Sequence, residues 1–506
     1  MKRNSRKEKL YLNTISAILY QLINVLCGFI LPNAILHCYG TNINGLVTSI
    51  TQFLAFISLC EFGVGAVVQS ALYGPLATND HKQTSKILIS AKSFFKKIAF
   101  ILVVYTAVLM IFYPMLQKRA FDFTFTMWLV LIISISSFAQ YYFGITYQIL
   151  LSANQMDYIQ FIFNGITLVL NVIACVILMK FGFSIHIVKL TTSIIFLLRP
   201  LFIKIYVNKK FPWIDKKIKL DKEPIEQKWN GLAQHVASVV LNNTDVIVLT
   251  LFSSLSNVSI YSVYMLVING IKTAITASMT GVQPLIGEML VKGEKENVNS
   301  LFNKFEWLMH TIIIFCITCS CLLIVPFIQV YTRGIADANY YLPAFGILIS
   351  ITYGIYCLRL PYNLVVCAAG HFKQTQRSAI IEAIINIVVS VACVSFFGLI
   401  GVTIGTLCAM TYRLIFFIIY LSKNILSRDI KLFVKLIITD LIESIICIFC
   451  FNQFVFLAEL TYMAWFMEAI KIAFCCLSVF LVINLIFYKD FLTSQLKNFS
   501  MIIKNK

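Results

Sequence analysis

Apolar segments of about twenty residues recur along the whole chain and constrain its fold more than any other feature. A helix of that length crosses the ~30 Å hydrocarbon core of a bilayer, where only helices and closed barrels satisfy their backbone groups. Charged residues make up only 12% of the chain, against roughly 25% in soluble proteins. We therefore predict an all-α integral membrane protein of about 14 transmembrane helices. The predicted spans are 11–37, 43–71, 94–116, 125–151, 158–180, 185–206, 230–252, 259–287, 305–330, 341–367, 379–397, 401–421, 436–457 and 464–488.

Basic residues are concentrated on one side of these spans. The segments on the N-terminal side carry 30 Lys and Arg residues, and the opposite segments carry 4. In what we expect to be a bacterial plasma membrane protein, the positive-inside rule therefore predicts that both termini lie in the cytoplasm. The basic start MKRNSRKEK leads into an apolar run without a cleavage site, so the first segment is expected to remain as a helix. The net charge of +19 follows this topology, and no nucleic-acid partner is expected.

The two halves of the chain show a weak internal repeat at an offset of 212 to 215 residues. Asn171 aligns with Asn386, Arg199 with Arg413, and Pro114 with Pro326. Six helices per copy give a parallel repeat, which predicts a substrate path between the halves. The predicted organisation is an N-terminal six-helix bundle (1–206), a cytoplasmic linker (207–229), a second six-helix bundle (230–421), and two extra helices with a cytoplasmic tail (422–506).

Polar residues at membrane depth follow helical faces. Charged groups there cost at least ~2.5–3.5 kcal/mol, so they should face protein or water. Such faces predict a polar path lined by cations, which favours an anionic or sugar-bearing substrate. The alternative is structural, because polar stripes also join helices by hydrogen bonds. The eighth helix carries Ser262, Asn269, Lys272, Thr276, Thr280 and Gln283, and the second carries Thr51, Ser58, Glu61, Gly65 and Gln69. The substrate-path candidates are Lys272, Arg359, Arg199, Arg413, Asn269, Asn242 and Asn24, and the ion-coupling candidates are Glu61 and Asp245.

Other charged and thiol groups receive a structural interpretation. Charged residues near predicted helix ends are expected to reach the lipid headgroups; these are Glu288, Glu382, Asp440, Glu443, Glu468 and Lys471. For Arg199 and Arg413, anchoring at the cytoplasmic end remains an equal alternative. The cysteine groups lack a second ligand pair at zinc spacing, so we expect helix packing and no metal; they are Cys316, Cys319, Cys321 and Cys447, Cys450. No cofactor is expected beyond a coupling ion, H⁺ or Na⁺.

Residues 40–80 carry the most specific local pattern. A polar-glycine turn precedes Glu61-Phe-Gly63-Val-Gly65, followed by LYGPLA (72–77) and Asn79-Asp80. This stretch resembles the second-helix region of Wzx-type polysaccharide-repeat flippases, which belong to the multidrug, oligosaccharidyl-lipid and polysaccharide exporter superfamily. The segments NGLAQHVASVVLNNTDVIVL and LLSANQMDYIQ resemble that family as well. The family commonly has twelve helices, so the final pair is a departure, although related lipid-linked-precursor flippases have fourteen.

The resemblance implies a function and partners. It implies that undecaprenyl-pyrophosphate-linked oligosaccharide repeat units move from the inner to the outer leaflet by alternating access, for capsule or O-antigen (lipopolysaccharide) assembly. The implied partners are the lipid-linked oligosaccharide, membrane lipid and polysaccharide-assembly proteins. A multidrug/cation antiporter of the same superfamily is the main alternative. A polysaccharide polymerase or ligase is a further one, but the predicted outer loops are short and carry no nucleophile elbow or Walker motif, so the chain is not expected to be an enzyme.

Overall fold

The computed structural model describes residues 3–61, 63–118, 120–215, 218, 232–279, 282–451 and 459–489. Every regular element within these ranges is helical, because the apolar blocks must satisfy their backbone groups internally in lipid. Thirteen helices of this part of the chain are long and apolar enough to span a membrane. The prediction of an all-α, multi-pass membrane protein is confirmed.

The chain forms two compact units, Met1–Ser259 and Ile260–Lys506. The helices of the first unit are α1 (Arg3–Tyr39), α2 (Thr41–Ala55), α3 (Val64–Ala77), α4 (His81–Leu116), α5 (Phe123–Ala139), α6 (Ile145–Ala153), α7 (Asp157–Lys180), α8 (Ile185–Lys210) and α9 (Leu232–Phe252), with the first turn of α10 (Leu255–Ser278). Most of the predicted linker lies outside the described residues.

The first unit ends later than the predicted linker, because α9 and the start of α10 pack on α2. Asn44 donates a hydrogen bond to the Ser259 hydroxyl over 2.8 Å, and the hydroxyls of Ser49 and Thr250 lie 2.7 Å apart. Gly45 permits this close approach, since a Cβ there would lie 1.9 Å from the carbonyl oxygen of Leu255. The predicted bundle boundaries thus differ from the division into compact units.

Two predicted spans of the first unit are interrupted helices. Span 43–71 consists of α2, a 3₁₀ turn (Phe56–Glu61) and α3, and Gly63 adopts a left-handed φ of 73° before α3 begins. Glycine takes this conformation without the strain that a Cβ would cause. Span 125–151 consists of α5, a π-helical turn (Gln140–Gly144) and α6. The stripe predicted on the second helix therefore does not follow one continuous helix.

The second unit contains the rest of α10, then α11 (Val282–Val291), α12 (Lys295–Tyr331), α13 (Pro343–Ala368), α14 (Phe372–Phe397), α15 (Leu399–Asn424), α16 (Lys431–Phe451) and α17 (Tyr462–Phe487). Since α10 ends at Ser278, the stripe predicted on the eighth helix is also divided, and Thr280 lies outside the described residues. Helix α16 corresponds to the predicted span 436–457 but is not among the thirteen spans; residues 452–457 are outside the described part.

Two glycines bring α14 and α15 into direct contact. A Cβ at Gly401 would lie 2.3 Å from the carbonyl oxygen of Cys393, and one at Gly405 would lie 2.5 Å from the backbone nitrogen of Ser390. Small residues allow this close helix packing in membrane proteins. The contact fixes the distance between the polar faces of α14 and α15, which carry part of the site described next.

Candidate functional site

Three of the predicted substrate-path cations lie together in the second unit. The first, Lys272 on α10, has its ammonium 4.9 Å from the ring centroid of Tyr353 and 4.5 Å from that of Tyr356, both on α13. Tyr356 also contacts Arg359, whose guanidinium carbon lies 4.5 Å from the same ring centroid. A tyrosine face attracts cations through its quadrupole. Tyr356 therefore links two cationic side chains across α10 and α13.

The third cation, Arg413 on α15, is joined to Arg359 through one carboxylate. Arg359 donates a hydrogen bond to Glu382 on α14, and the Nε atom of Arg413 lies 3.4 Å from the other Glu382 oxygen. Arg413 also donates to the Thr375 carbonyl over 3.1 Å and to the Ser378 hydroxyl. The side chains of Arg359, Glu382 and Arg413 are 13%, 3% and 3% exposed. The arginines are thus held by a buried acid.

We call Lys272, Arg359, Glu382 and Arg413 the cation cluster. Three of its members are basic and one is acidic, so the four side chains carry a net charge of +2. Burial weakens the screening of such charges by water, and guanidinium groups match the geometry of phosphate and carboxylate oxygens. The arrangement is suited to attract an anionic group.

The other substrate-path candidates are not part of the cation cluster. Arg199 on α8 donates from Nε to the Thr167 hydroxyl over 2.5 Å and packs on the Phe196 ring. Asn24, Asn242 and Asn269 have exposed side chains, on α1, α9 and α10 respectively. The structure therefore brings Lys272, Arg359 and Arg413 together but not these four.

Both ion-coupling candidates belong to the first unit. Glu61 ends the 3₁₀ turn before α3 and accepts a 2.5 Å hydrogen bond from the Tyr141 hydroxyl, which lies in the π-helical turn. The two irregular turns thus face each other at this contact. Asp245 is buried within α9. Their role in ion binding remains a prediction.

Glu382, Asp440 and Glu443 are buried, and the expectation that they reach the headgroups is wrong. Helices α14 and α16 begin at Phe372 and Lys431, several residues before the predicted spans, so these acids lie inside their helices rather than at the ends. Glu382 is the member of the cation cluster that the sequence interpretation missed. A signal was present, since Glu382 precedes the repeat-matched Asn386 by four residues and shares its helix face. Glu288, Glu468 and Lys471 keep partly or fully exposed side chains.

The two cysteine groups lie in α12 and α16 of the second unit. Cys447 is fully buried in the apolar core of this unit, and Cys316, Cys319 and Cys321 are partly buried against it. Within the described residues, no group of three or more His, Cys, Asp or Glu side chains could hold a metal ion.

No protein-family model and no curated protein matches the chain. Among solved structures, the chain is similar to the lipid II flippase MurJ in an inward closed conformation, with a TM-score of 0.70 and 17% identity over 95% of this chain and 100% of that one. It is also similar to an inward-facing multidrug resistance MATE family transporter of the MOP superfamily (TM-score 0.55, 14% identity, 80% and 95% coverage). Similarity to the bent form of the Vibrio cholerae MATE transporter VcmN has a TM-score of 0.53 at 14% identity, over 82% of this chain and 94% of that one. The chain has the helical membrane fold of these transporters.

Proposed function

We propose that the protein is a flippase that moves an undecaprenyl-pyrophosphate-linked oligosaccharide from the inner to the outer leaflet. The observation that carries this proposal is the cation cluster, where Arg359 and Arg413 pair with a single acid, Glu382, and Lys272 shares the Tyr356 ring with Arg359. A pyrophosphate headgroup cannot enter a hydrocarbon core without compensating charge. Arginine and lysine side chains on a protein wall supply that charge, while the isoprenoid tail stays in lipid.

The extent of the structural similarity supports a lipid-linked substrate. The match with MurJ covers 95% of this chain, whereas the matches with the two MATE transporters cover 80% and 82%. MurJ itself is a flippase of lipid II, a lipid-linked precursor. Since fold alone does not determine function, the charge of the cluster is the second support.

The polysaccharide-repeat substrate is the finer part of the proposal. It is supported by the resemblance of residues 40–80 to Wzx-type flippases, which implies capsule or O-antigen assembly in a bacterial plasma membrane. The charge bias of 30 to 4 supports a cytoplasmic position for both termini. Reporter fusions test this topology, with Asp215 expected to be cytoplasmic and Asp337 external.

Glu61 and Asp245 are proposed to bind the coupling ion, H⁺ or Na⁺. Glu61 supports this by its position at an interrupted helix, where it accepts the Tyr141 contact. Interrupted helices form ion sites in other transporters. Transport by alternating access, rather than catalysis, is the activity proposed for the chain.

The alternative is a multidrug/cation antiporter, which the similarity to MATE transporters favours. The cation cluster argues against it, because a net charge of +2 repels an organic cation. Lipid-linked intermediates in a deletion strain distinguish the two functions. A flippase predicts repeat units accumulated on the inner leaflet and rescued by the wild-type gene but not by Lys272→Glu. Unchanged surface glycan together with altered drug resistance would instead identify an antiporter.

A further inference from the structure

A second polar network lies buried in the second unit, centred on His310 of α12. Its Nδ1 atom is 2.7 Å from the Asp440 carboxylate on α16, and its Nε2 atom is 3.0 Å from the Tyr362 hydroxyl on α13. Tyr362 in turn donates a 2.5 Å hydrogen bond to Glu306, which also accepts two 2.5 Å bonds from Arg428 in the turn before α16. His310 and Tyr362 are both fully buried.

When Asp440 is ionised, the hydrogen bonds of this network fix the protons on His310. Glu306 is a carboxylate, since both of its oxygens accept from the Arg428 guanidinium. Tyr362 has one proton, and because it donates that proton to Glu306, its oxygen can only accept from His310. The Asp440 carboxylate accepts from the other ring nitrogen. Both nitrogens therefore donate, and His310 is an imidazolium in this conformation.

The charge balance leads to the same assignment. With a protonated His310, two cations (His310 and Arg428) balance two carboxylates (Glu306 and Asp440). A neutral His310 beside an ionised Asp440 would leave an unbalanced negative charge in a dry environment, which is costly. The remaining titratable groups around it in the described residues are Glu443 on α16, which accepts from Asn484 over 2.6 Å, and the Lys435–Tyr488 contact between α16 and the end of α17.

The network shares one helix with the cation cluster. Tyr356, Arg359 and Tyr362 follow each other at three-residue intervals on α13, so the same helix contacts Lys272, Glu382 and His310. Pro361 stands between Arg359 and Tyr362. A proline removes a backbone hydrogen bond and lets a helix bend locally. A movement at Pro361 would change the contacts of both sites.

We propose that His310, between Asp440 and Tyr362, is a proton-binding site that couples a proton gradient to transport; this rests on the proposed function. When α13 moves Tyr362 away during the transport cycle, the imidazolium loses one acceptor and releases its proton. Arg428 lies in the α15–α16 turn, which the charge bias predicts to be cytoplasmic, so the released proton reaches that side. Helices α16 and α17, which lie outside the predicted repeat, would thus contribute to energy coupling.

Solid-state NMR of the full chain in bilayers with ¹⁵N-labelled histidine tests the proton directly. The chain has 6 histidines, so individual variants can assign the signals. At about pH 8, where an ordinary histidine with a pKa near 6.5 is neutral, we expect one imidazolium signal in the wild type that His310→Gln removes. His186→Gln is the matched control, because His186 contacts a backbone carbonyl and the Phe125 ring and its loss should leave the signal. A wild-type protein without an imidazolium signal would overturn the site.

Transport in liposomes tests the coupling. The probe is a fluorescent undecaprenyl-pyrophosphate disaccharide, and the variant is His310→Gln/Asp440→Asn, which removes one charge of each sign and so keeps the balance. A gradient of one pH unit should accelerate the wild type up to about tenfold and the double variant less than about twofold, each relative to its own rate in the absence of a gradient. Equal acceleration of both proteins would overturn the coupling. If neither moves the probe, the proposed function fails, and the NMR signal still decides whether His310 holds a proton.

Discussion

The two units place an arginine at matching positions but give it different partners. Arg199 on α8 reaches back to α7, where it contacts the Thr167 hydroxyl and, over 3.4 Å, the Asn164 carbonyl. Arg413 on α15 likewise reaches back to α14, but there it meets the carboxylate of Glu382. The sequence offset of 215 that pairs Asn171 with Asn386 also pairs Thr167 with Glu382. One position in the repeat is thus neutral in the first unit and acidic in the second.

The difference shows why the second unit tolerates more cations. Glu382 offsets part of the charge of Arg359 and Arg413, so these two arginines and Lys272 can share a small region. Arg199 has a neutral hydroxyl as its side-chain partner, and its guanidinium also contacts a backbone carbonyl and the Phe196 ring. We therefore expect the second unit to hold the stronger anion site and the first unit to depend less on ionic contacts for stability.

Removing the carboxylate of Glu382 should have the largest effect on stability. Glu382→Gln leaves the buried Arg413 and the largely buried Arg359 without their counter-ion, and breaking a buried ion pair from one side costs about 3–5 kcal/mol. We expect a lower unfolding temperature in detergent and less protein in the membrane. The matched change in the first unit, Thr167→Val, should cost only about 1 kcal/mol, the value of one hydrogen bond. Equal losses for both variants would remove the distinction between the units.

The charge series at Lys272 comes next and concerns transport rather than stability. Since Lys272 packs on two tyrosine rings, Lys272→Arg should reduce export mildly, Lys272→Ala strongly, and Lys272→Glu should abolish it by reversing the local charge. Export is measured per molecule of membrane protein. A purely structural lysine predicts that Ala and Arg both lower the protein level while normalised export stays constant.

The sequence predicts the membrane fold well because hydrophobic length and charge bias are local signals. It also identifies Lys272, Arg359 and Arg413, since a cation in an apolar segment is conspicuous. The sequence predicts a headgroup position for Glu382 because the polar first turns of α14 do not resemble membrane sequence, although the helix starts at Phe372. Which helices are neighbours, and hence that one acid joins two arginines, depends on packing that periodicity does not contain. The break at Gly63 had a visible signal in the Gly63-Val-Gly65 pair.

Adding an acid beside Arg199 would test whether the acidic partner alone explains the difference between the arginines of the two units. Thr167→Glu places a carboxylate beside Arg199 and imitates the second unit. The free energy of unfolding should change by less than about 1 kcal/mol, because the gain from the ion pair is offset by the cost of desolvating the two charges. If Arg199 contacts the anionic substrate, normalised export should fall, whereas Thr167→Gln, of the same size but uncharged, should export more than the Glu variant. Equal export by both would make Arg199 a structural anchor.

The smallest change in stability is expected at Glu61 in the first unit. Whereas Glu382 pairs with two arginines, Glu61 accepts a hydrogen bond from the neutral Tyr141 hydroxyl. Glutamine can accept the same bond, so Glu61→Gln should alter the free energy of unfolding by less than about 1 kcal/mol and leave the membrane level intact. Export should nevertheless fall, because an amide cannot bind a proton or Na⁺ in place of the carboxylate. Tyr141→Phe is the matched control, since it removes the hydrogen bond but keeps the charge, and it should export more than Glu61→Gln. Normal export by Glu61→Gln would reduce this contact to a link between the two irregular turns.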